Sequence, residues 1–127
     1  QSVPWAQLMA VALGSAVGGV LRWAVQLWLN ARWAGFPLGT LVVNCVGGLL
    51  IGIALAWFAR TPNESMRLLL VTGFLGGLTT FSAFTGESLT LLQRGDFGWA
   101  VAHSFAHLAG ALLCCAMGFR VAKTLLA

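Results

Sequence analysis

The residues able to handle an ion are few, and they fall at helical spacing. From Phe81, at 100° per residue, Phe84 lies at about −60°, Thr85 at about +40° and Ser88 at about −20°. One stripe thus carries two aromatic rings and two hydroxyls. Thr40, Asn44, Gly47 and Gly48 form a second stripe, within about 40–60° of Asn44. Aromatic rings have negative faces and positive edges, so an anion approaches the edge. Asn44 can donate its NH₂, and Thr and Ser their O–H. No Lys or Arg joins either stripe. Neutral donors hold an anion loosely, as conduction requires. An amide in an otherwise uncharged helix faces a partner or a pore, and an interhelical hydrogen bond would serve Asn44 as well.

His103 and His107 have the i, i+4 spacing of a metal pair, and share a stripe with Gly110, Cys114 and Gly118. No third ligand is expected nearby, the only intramembrane acid being Glu87, so packing or the lining of a polar track is expected rather than zinc. Arg22 and Glu87 are the expensive residues inside apolar runs, and such residues pair, snorkel or line a pathway. Arg22 is close enough to a helix end to snorkel, and Glu87 could do so or cap a vestibule. Cys45, Cys114 and Cys115 match neither a CxxC metal site nor a disulfide framework and read as small packing residues. The Asn63-Glu64-Ser65 sequon and the Arg94-Gly95-Asp96 tripeptide sit in loops too short for glycosylation or adhesion. No Ser–His–acid or metal cluster suggests an enzyme.

These residues must be positioned in a membrane. Of the 127 residues, 59% are hydrophobic and 8% charged, against about 25% charged in soluble domains. Four apolar runs are long enough to span: Trp5 to Leu29, Leu38 to Ala59, Met66 to Leu92 and Gly98 to Lys123. The first continues past Arg22 and lacks a basic start, so it reads as a span rather than a signal peptide. The loops hold Gly35 and Pro37, then Pro62 with Asn63 as a helix cap, then the turn QRGDF. The whole chain, residues 1–127, is one membrane domain. The net charge of +4 comes without a basic tract, which suits lipid headgroups and gives nucleic acid no surface. One side of the membrane would collect Arg60, Arg67, Arg120 and Lys123, the other Arg32 and Arg94, with Arg22 near that end. So weak a bias fits a single topology, or a chain that inserts both ways and pairs with an inverted copy. The third span contains GFLGGLTTFSAF from Gly73 to Phe84. Three glycines and two threonines make a poor mid-helix stretch, and a break is expected there. Unpaired backbone at that depth is tolerated only under protein or beside water, so its carbonyls could meet a cation and its amides an anion. The alternative is a continuous helix whose glycines serve close packing. Gly14-xxx-Gly18, Gly48-xxx-Gly52 and Gly110-xxx-Cys114-xxx-Gly118 also predict close helix contacts.

Three pieces in this order carry a resemblance: Gly18-Gly19 through Arg22-Trp23, Gly39-Thr40-Leu41 with Asn44, and the Gly73–Phe84 segment. Over essentially its full length the chain resembles the Fluc (CrcB-type) fluoride channels. The resemblance implies an all-α membrane protein with four transmembrane helices, an interrupted third helix, and an antiparallel dual-topology homodimer in the bacterial inner membrane. It implies two fluoride pathways along the interface, and a structural sodium ion at the dimer centre on the backbone carbonyls of Gly76 and Thr79. Phe81 and Phe84 would line fluoride with their ring edges, and Asn44 would be the pore amide. Ser82, Thr85 and Glu87 would lie near the pathway or its mouth. Thr40 and Arg22 match motif positions. The fourth helix departs from hydroxyl- and amide-bearing versions by carrying His103 and His107. The implied activity is passive export of cytoplasmic fluoride, which enters as neutral hydrogen fluoride, dissociates and leaves down the membrane potential.

A four-helix dual-topology drug/proton antiporter of the small multidrug-resistance kind is the main alternative. It needs an acid in the first helix, and that span has no Asp or Glu. A structural subunit without transport would have no use for the polar stripes.

Overall fold

A computed structural model describes residues 3–32 and 36–127, and Gly35 of the first loop lies outside them. Among the described residues, four helical runs are long and apolar enough to cross a membrane, and the third is interrupted. Helix α1 covers Trp5–Leu29 and α2 covers Leu38–Arg60. The third run begins as α3, residues 64–78, and resumes as α4, Phe81–Gln93. Helix α5 covers Phe97–Leu126. Asn63 caps α3, as expected, by accepting the N–H of Met66 at 3.1 Å. Gly95, at φ 80°, ends α4 in the left-handed conformation that glycine adopts without cost.

α1 packs along α3, α2 packs along α5, and α4 lies on α5. The glycines expected to bring helices together do so. A Cβ on Gly14 or Gly18 would meet the backbone of Leu69 or Phe74. Gly48, Gly52 and Gly118 likewise press on backbone across the α2–α5 seam. Most other apolar side chains stay exposed, including Leu13, Val17, Leu108 and Leu112, as a lipid-facing surface permits.

The third run shows two features that glycine content did not predict. Residues Leu68–Leu75 form a π-helix, wider than an α-helix, and such stretches cluster at functional sites. The break falls at Thr79 and Thr80, whose backbones are extended (φ −85°, ψ 156° and φ −150°, ψ 118°), and the glycines before it stay helical. Gly73 and Gly77 are needed for packing instead, because a Cβ there would meet the Val11 or Ser15 carbonyl of α1. Thus both sequence readings hold in part: the glycines pack and the helix still breaks. Thr80 starts α4 by accepting the N–H of Ala83 at 3.0 Å, a normal threonine cap.

Candidate functional site

The break leaves backbone groups that must be satisfied inside the protein. Asn44, from the second turn of α2, does this for Thr80. Its Oδ1 accepts the Thr80 N–H at 2.8 Å and its Nδ2 donates to the Thr80 carbonyl at 3.0 Å. The side-chain amide thereby stands in for a neighbouring strand. Nδ2 also lies 3.0 Å from His107 Nδ1. Arg22 has a partner: its Nε donates to the Gly77 carbonyl at 3.0 Å, two residues before the break begins at Thr79. Among the described residues, no side-chain donor reaches the carbonyl oxygens of Gly76 or Thr79. Gly76 is exposed and Thr79 half-buried.

Phe81 and Phe84 follow the break on α4, with ring centroids 5.5 Å apart. Phe81 is 78% exposed, so its ring stands out from the fold with nothing packed over much of it. Phe84 is half-buried, and His103 stacks on its face at 5.1 Å while His107 approaches at 4.7 Å. Together with Asn44, Thr79, Thr80 and His107, the two rings line an open cleft of about 460 Å³. No Lys or Arg lines it.

A buried network runs beside this cleft. Thr40, fully buried, donates its hydroxyl to Glu87 Oε2 at 2.5 Å and accepts Gln26 Nε2 at 3.1 Å. Glu87 Oε1 lies 3.1 Å from His103 Nε2, and Ser88 Oγ lies 2.9 Å from His103 Nδ1. Glu87 does not stand alone. Its side chain is 20% exposed and reaches a second hollow, which Asn30, Phe36, Thr90 and Arg94 also line. The expectation that the histidine pair has no third ligand is corrected too. One ligating atom each of Glu87, His103 and His107 lie within 4.8 Å of one another. Sequence spacing missed this because Glu87 comes from α4 and the histidines from α5.

The remaining predicted residues are peripheral to these groups. Ser82 is exposed and its hydroxyl lies 3.1 Å from Thr80 Oγ1. Thr85 is exposed and donates to the Phe81 carbonyl of its own helix at 2.8 Å. Sequence reasoning missed Thr80, Gln26 and Asn30. Asn30 Oδ1 accepts the N–H of Gly39 at 2.6 Å and of Thr40 at 3.3 Å, capping α2 from the end of α1. Gln26 and Asn30 carried the same signal as Asn44, an amide in or beside an apolar span.

Comparison with known proteins bears on what this arrangement does. Residues 9–119 match the family model described as CrcB-like protein, Camphor Resistance (CrcB). A protein of Aromatoleum aromaticum is 50% identical over 113 residues, covering 87% of this chain and 86% of that protein. One of Nitrosomonas europaea is 49% identical, covering 86% and 87%. One of Pseudomonas aeruginosa is 47% identical, covering 90% and 91%. All three bear the name fluoride-specific ion channel FluC.

Proposed function

The chain belongs to the CrcB-like family, whose members are ion channels and not enzymes, and from that premise we propose that it is a fluoride-selective channel. The observation that carries the reading is the cleft in which two phenylalanine rings and neutral donors meet without a cationic side chain. Positive ring edges and N–H groups attract an anion, and the absence of fixed charge lets it leave. Asn44 holds the break open so that Phe81 and Phe84 can begin a new helix beside the cleft.

In this reading Asn44, Phe81 and Phe84 line the fluoride pathway, with Ser82 and Thr85 along its α4 flank. Thr40 and Glu87 form the mouth, where the second hollow reaches Glu87. Both Glu87 oxygens face donors, from Thr40 and His103, which tempers the repulsion of an anion by the carboxylate. The cleft is open, and Phe81 is exposed within it. A second copy inserted upside down would cover this face and complete two pathways, and the weak charge bias between loops suits dual insertion.

A sodium ion fits the break. Hard cations take oxygen ligands, and the Gly76 and Thr79 carbonyls are neutral oxygens with no side-chain donor among the described residues. Sodium there would supply a fixed positive charge that holds two breaks together. Arg22 positions the same segment through Gly77. Net transport is export, driven by a negative interior, across the bacterial inner membrane.

Liposomes loaded with fluoride and containing the purified protein test the reading. With a potassium ionophore to balance charge, fluoride should leave quickly and chloride should stay. Equal release of the two halides would sink the selectivity, and no release would sink the channel. Cysteine labelling at the loops addresses topology: each loop should be reached from both sides, and strictly one-sided labelling rejects the inverted pair.

A further inference from the structure

The last turns of α5 hold a basic hollow that the fluoride pathway does not use. Phe119, Arg120, Lys123 and Thr124 are among the residues that line its roughly 640 Å³. Counting 100° per residue from Arg120, Leu113 lies at about +20°, Ala116 at about −40°, Lys123 at about −60° and Thr124 at about +40°. These five residues are all exposed. One face of α5 therefore runs from an apolar stripe into a cationic tip. Cys115, which lines the cleft, lies about 140° round the helix from Arg120, and Gly118, which presses on Leu49 of α2, about 160°. The face points away from both the cleft and α2.

The charge at this tip is not neutralised within the chain. Among the described residues no acidic side chain pairs with Arg120 or Lys123, whereas Arg67 is paired with Glu64 at 2.6 Å. Lys123 Nζ sits 5.9 Å from the centroid of the Phe119 ring, within reach of a cation–π contact, which keeps the ammonium beside the hollow. Thr124 donates its hydroxyl to the Arg120 carbonyl at 2.9 Å, so the guanidinium and the ammonium are the donors left. A planar guanidinium grips two phosphate oxygens at once, and an ammonium adds a point charge. Snorkelling alone would carry cations to headgroup level. It would not require them to share one hollow at the foot of an exposed apolar stripe.

We propose that this hollow binds the phosphodiester headgroup of an anionic phospholipid, whose acyl chains lie along the stripe of Leu113 and Ala116. Basic pockets beside membrane helices take such headgroups. The stripe favours a lipid over free phosphate, because a phosphodiester tethered to acyl chains meets the cationic and the apolar part together. A zwitterionic lipid carries an ammonium of its own, which Arg120 and Lys123 repel. The site is independent of the anion pathway. An inverted pair would carry one such site in each leaflet.

The full chain in neutral detergent, titrated with dioleoyl-phosphatidylglycerol and followed by the midpoint of its thermal unfolding, tests this. A ligand that binds the folded state raises the midpoint. Phosphatidylglycerol should do so, and phosphatidylcholine with the same acyl chains should not. Arg120→Gln and Lys123→Gln should each raise the lipid concentration for half the effect about fivefold, and the double variant about 25-fold. Arg32→Gln, at the opposite end of the fold, removes the same charge and should leave that concentration unchanged. Equal stabilisation by phosphatidylcholine, or by inorganic phosphate alone, overturns the anionic-lipid assignment. An unchanged response in the double variant, or an equal loss in Arg32→Gln, overturns the site. Should the double variant fail to fold, wild-type protein with a photoreactive phosphatidylglycerol decides: crosslinks should fall within residues 113–124, and an even spread over all four spans refutes the hollow as the binding site.

Discussion

Asn44→Ala is the sharpest test of how this fold holds its interruption. The substitution removes the bonds to Thr80 N–H, Thr80 C=O and His107 Nδ1. Thr80 is 8% exposed, so water does not replace them. Interhelical hydrogen bonds in a membrane protein average about 0.6 kcal/mol each, which gives a floor near 2 kcal/mol for three. Leaving two buried backbone groups unpaired costs about 1–3 kcal/mol apiece, which gives a ceiling near 6 kcal/mol. A loss of roughly 2–4 kcal/mol is therefore expected. Asn44→Asp should fall in between, because its carboxylate still accepts the Thr80 N–H but cannot donate. Reversible unfolding in mixed detergent, followed by tryptophan fluorescence, measures both. An Asn44→Ala protein within about 0.5 kcal/mol of wild type, well under one such bond pair, would refute the idea that this amide closes the break.

Other outcomes follow from the same geometry. Gly18→Ala places a Cβ on the Phe74 carbonyl and should cost about 1–3 kcal/mol, as overpacking does. Gly98→Ala, with nothing within 4 Å, should be neutral or stabilising by up to about 1 kcal/mol. The same unfolding assay separates them. Thr40→Val keeps shape but removes the donor to Glu87 and the acceptor for Gln26, so a loss of about 1–3 kcal/mol is expected, with Thr40→Ser near wild type. Phe81→Ile and Phe84→Ile should slow fluoride efflux up to about tenfold while the protein still elutes as the wild-type species. Unchanged efflux in both would remove the ring edges from the pathway.

Much of this was legible in the sequence because lipid leaves few choices. An apolar run of about 20 residues crosses a bilayer as a helix, since a barrel strand spans it in about 10, and the glycine patterns named the seams that Gly18, Gly52 and Gly118 form. The position of the break was less legible. Gly76 and Gly77 are the weak helix formers, yet Thr79 and Thr80 leave the helix, because α1 needs Gly77 for close approach and Asn44 is placed to receive Thr80. Local propensity contains neither fact. The widening at Leu68–Leu75 has no clear sequence mark either. Stripe geometry grouped Phe81 with Phe84, and both line one cleft with Asn44, but it treats each helix separately. The meeting of Glu87 with His103 and of Asn44 with His107 depends on how three helices cross. The polar amides were the readable signal, and Gln26 and Asn30 could have been found with the rule applied to Asn44.

The central claim is that the protein passes fluoride passively and in preference to other ions. The reversal potential of a planar bilayer containing the protein tests it most directly. With a tenfold fluoride gradient, equal chloride and equal pH on both sides, the current should reverse at about 59 mV, the tenfold step for one charge, with the sign set by fluoride. Reversal near zero, or at a value that follows an imposed chloride or proton gradient instead, would contradict it.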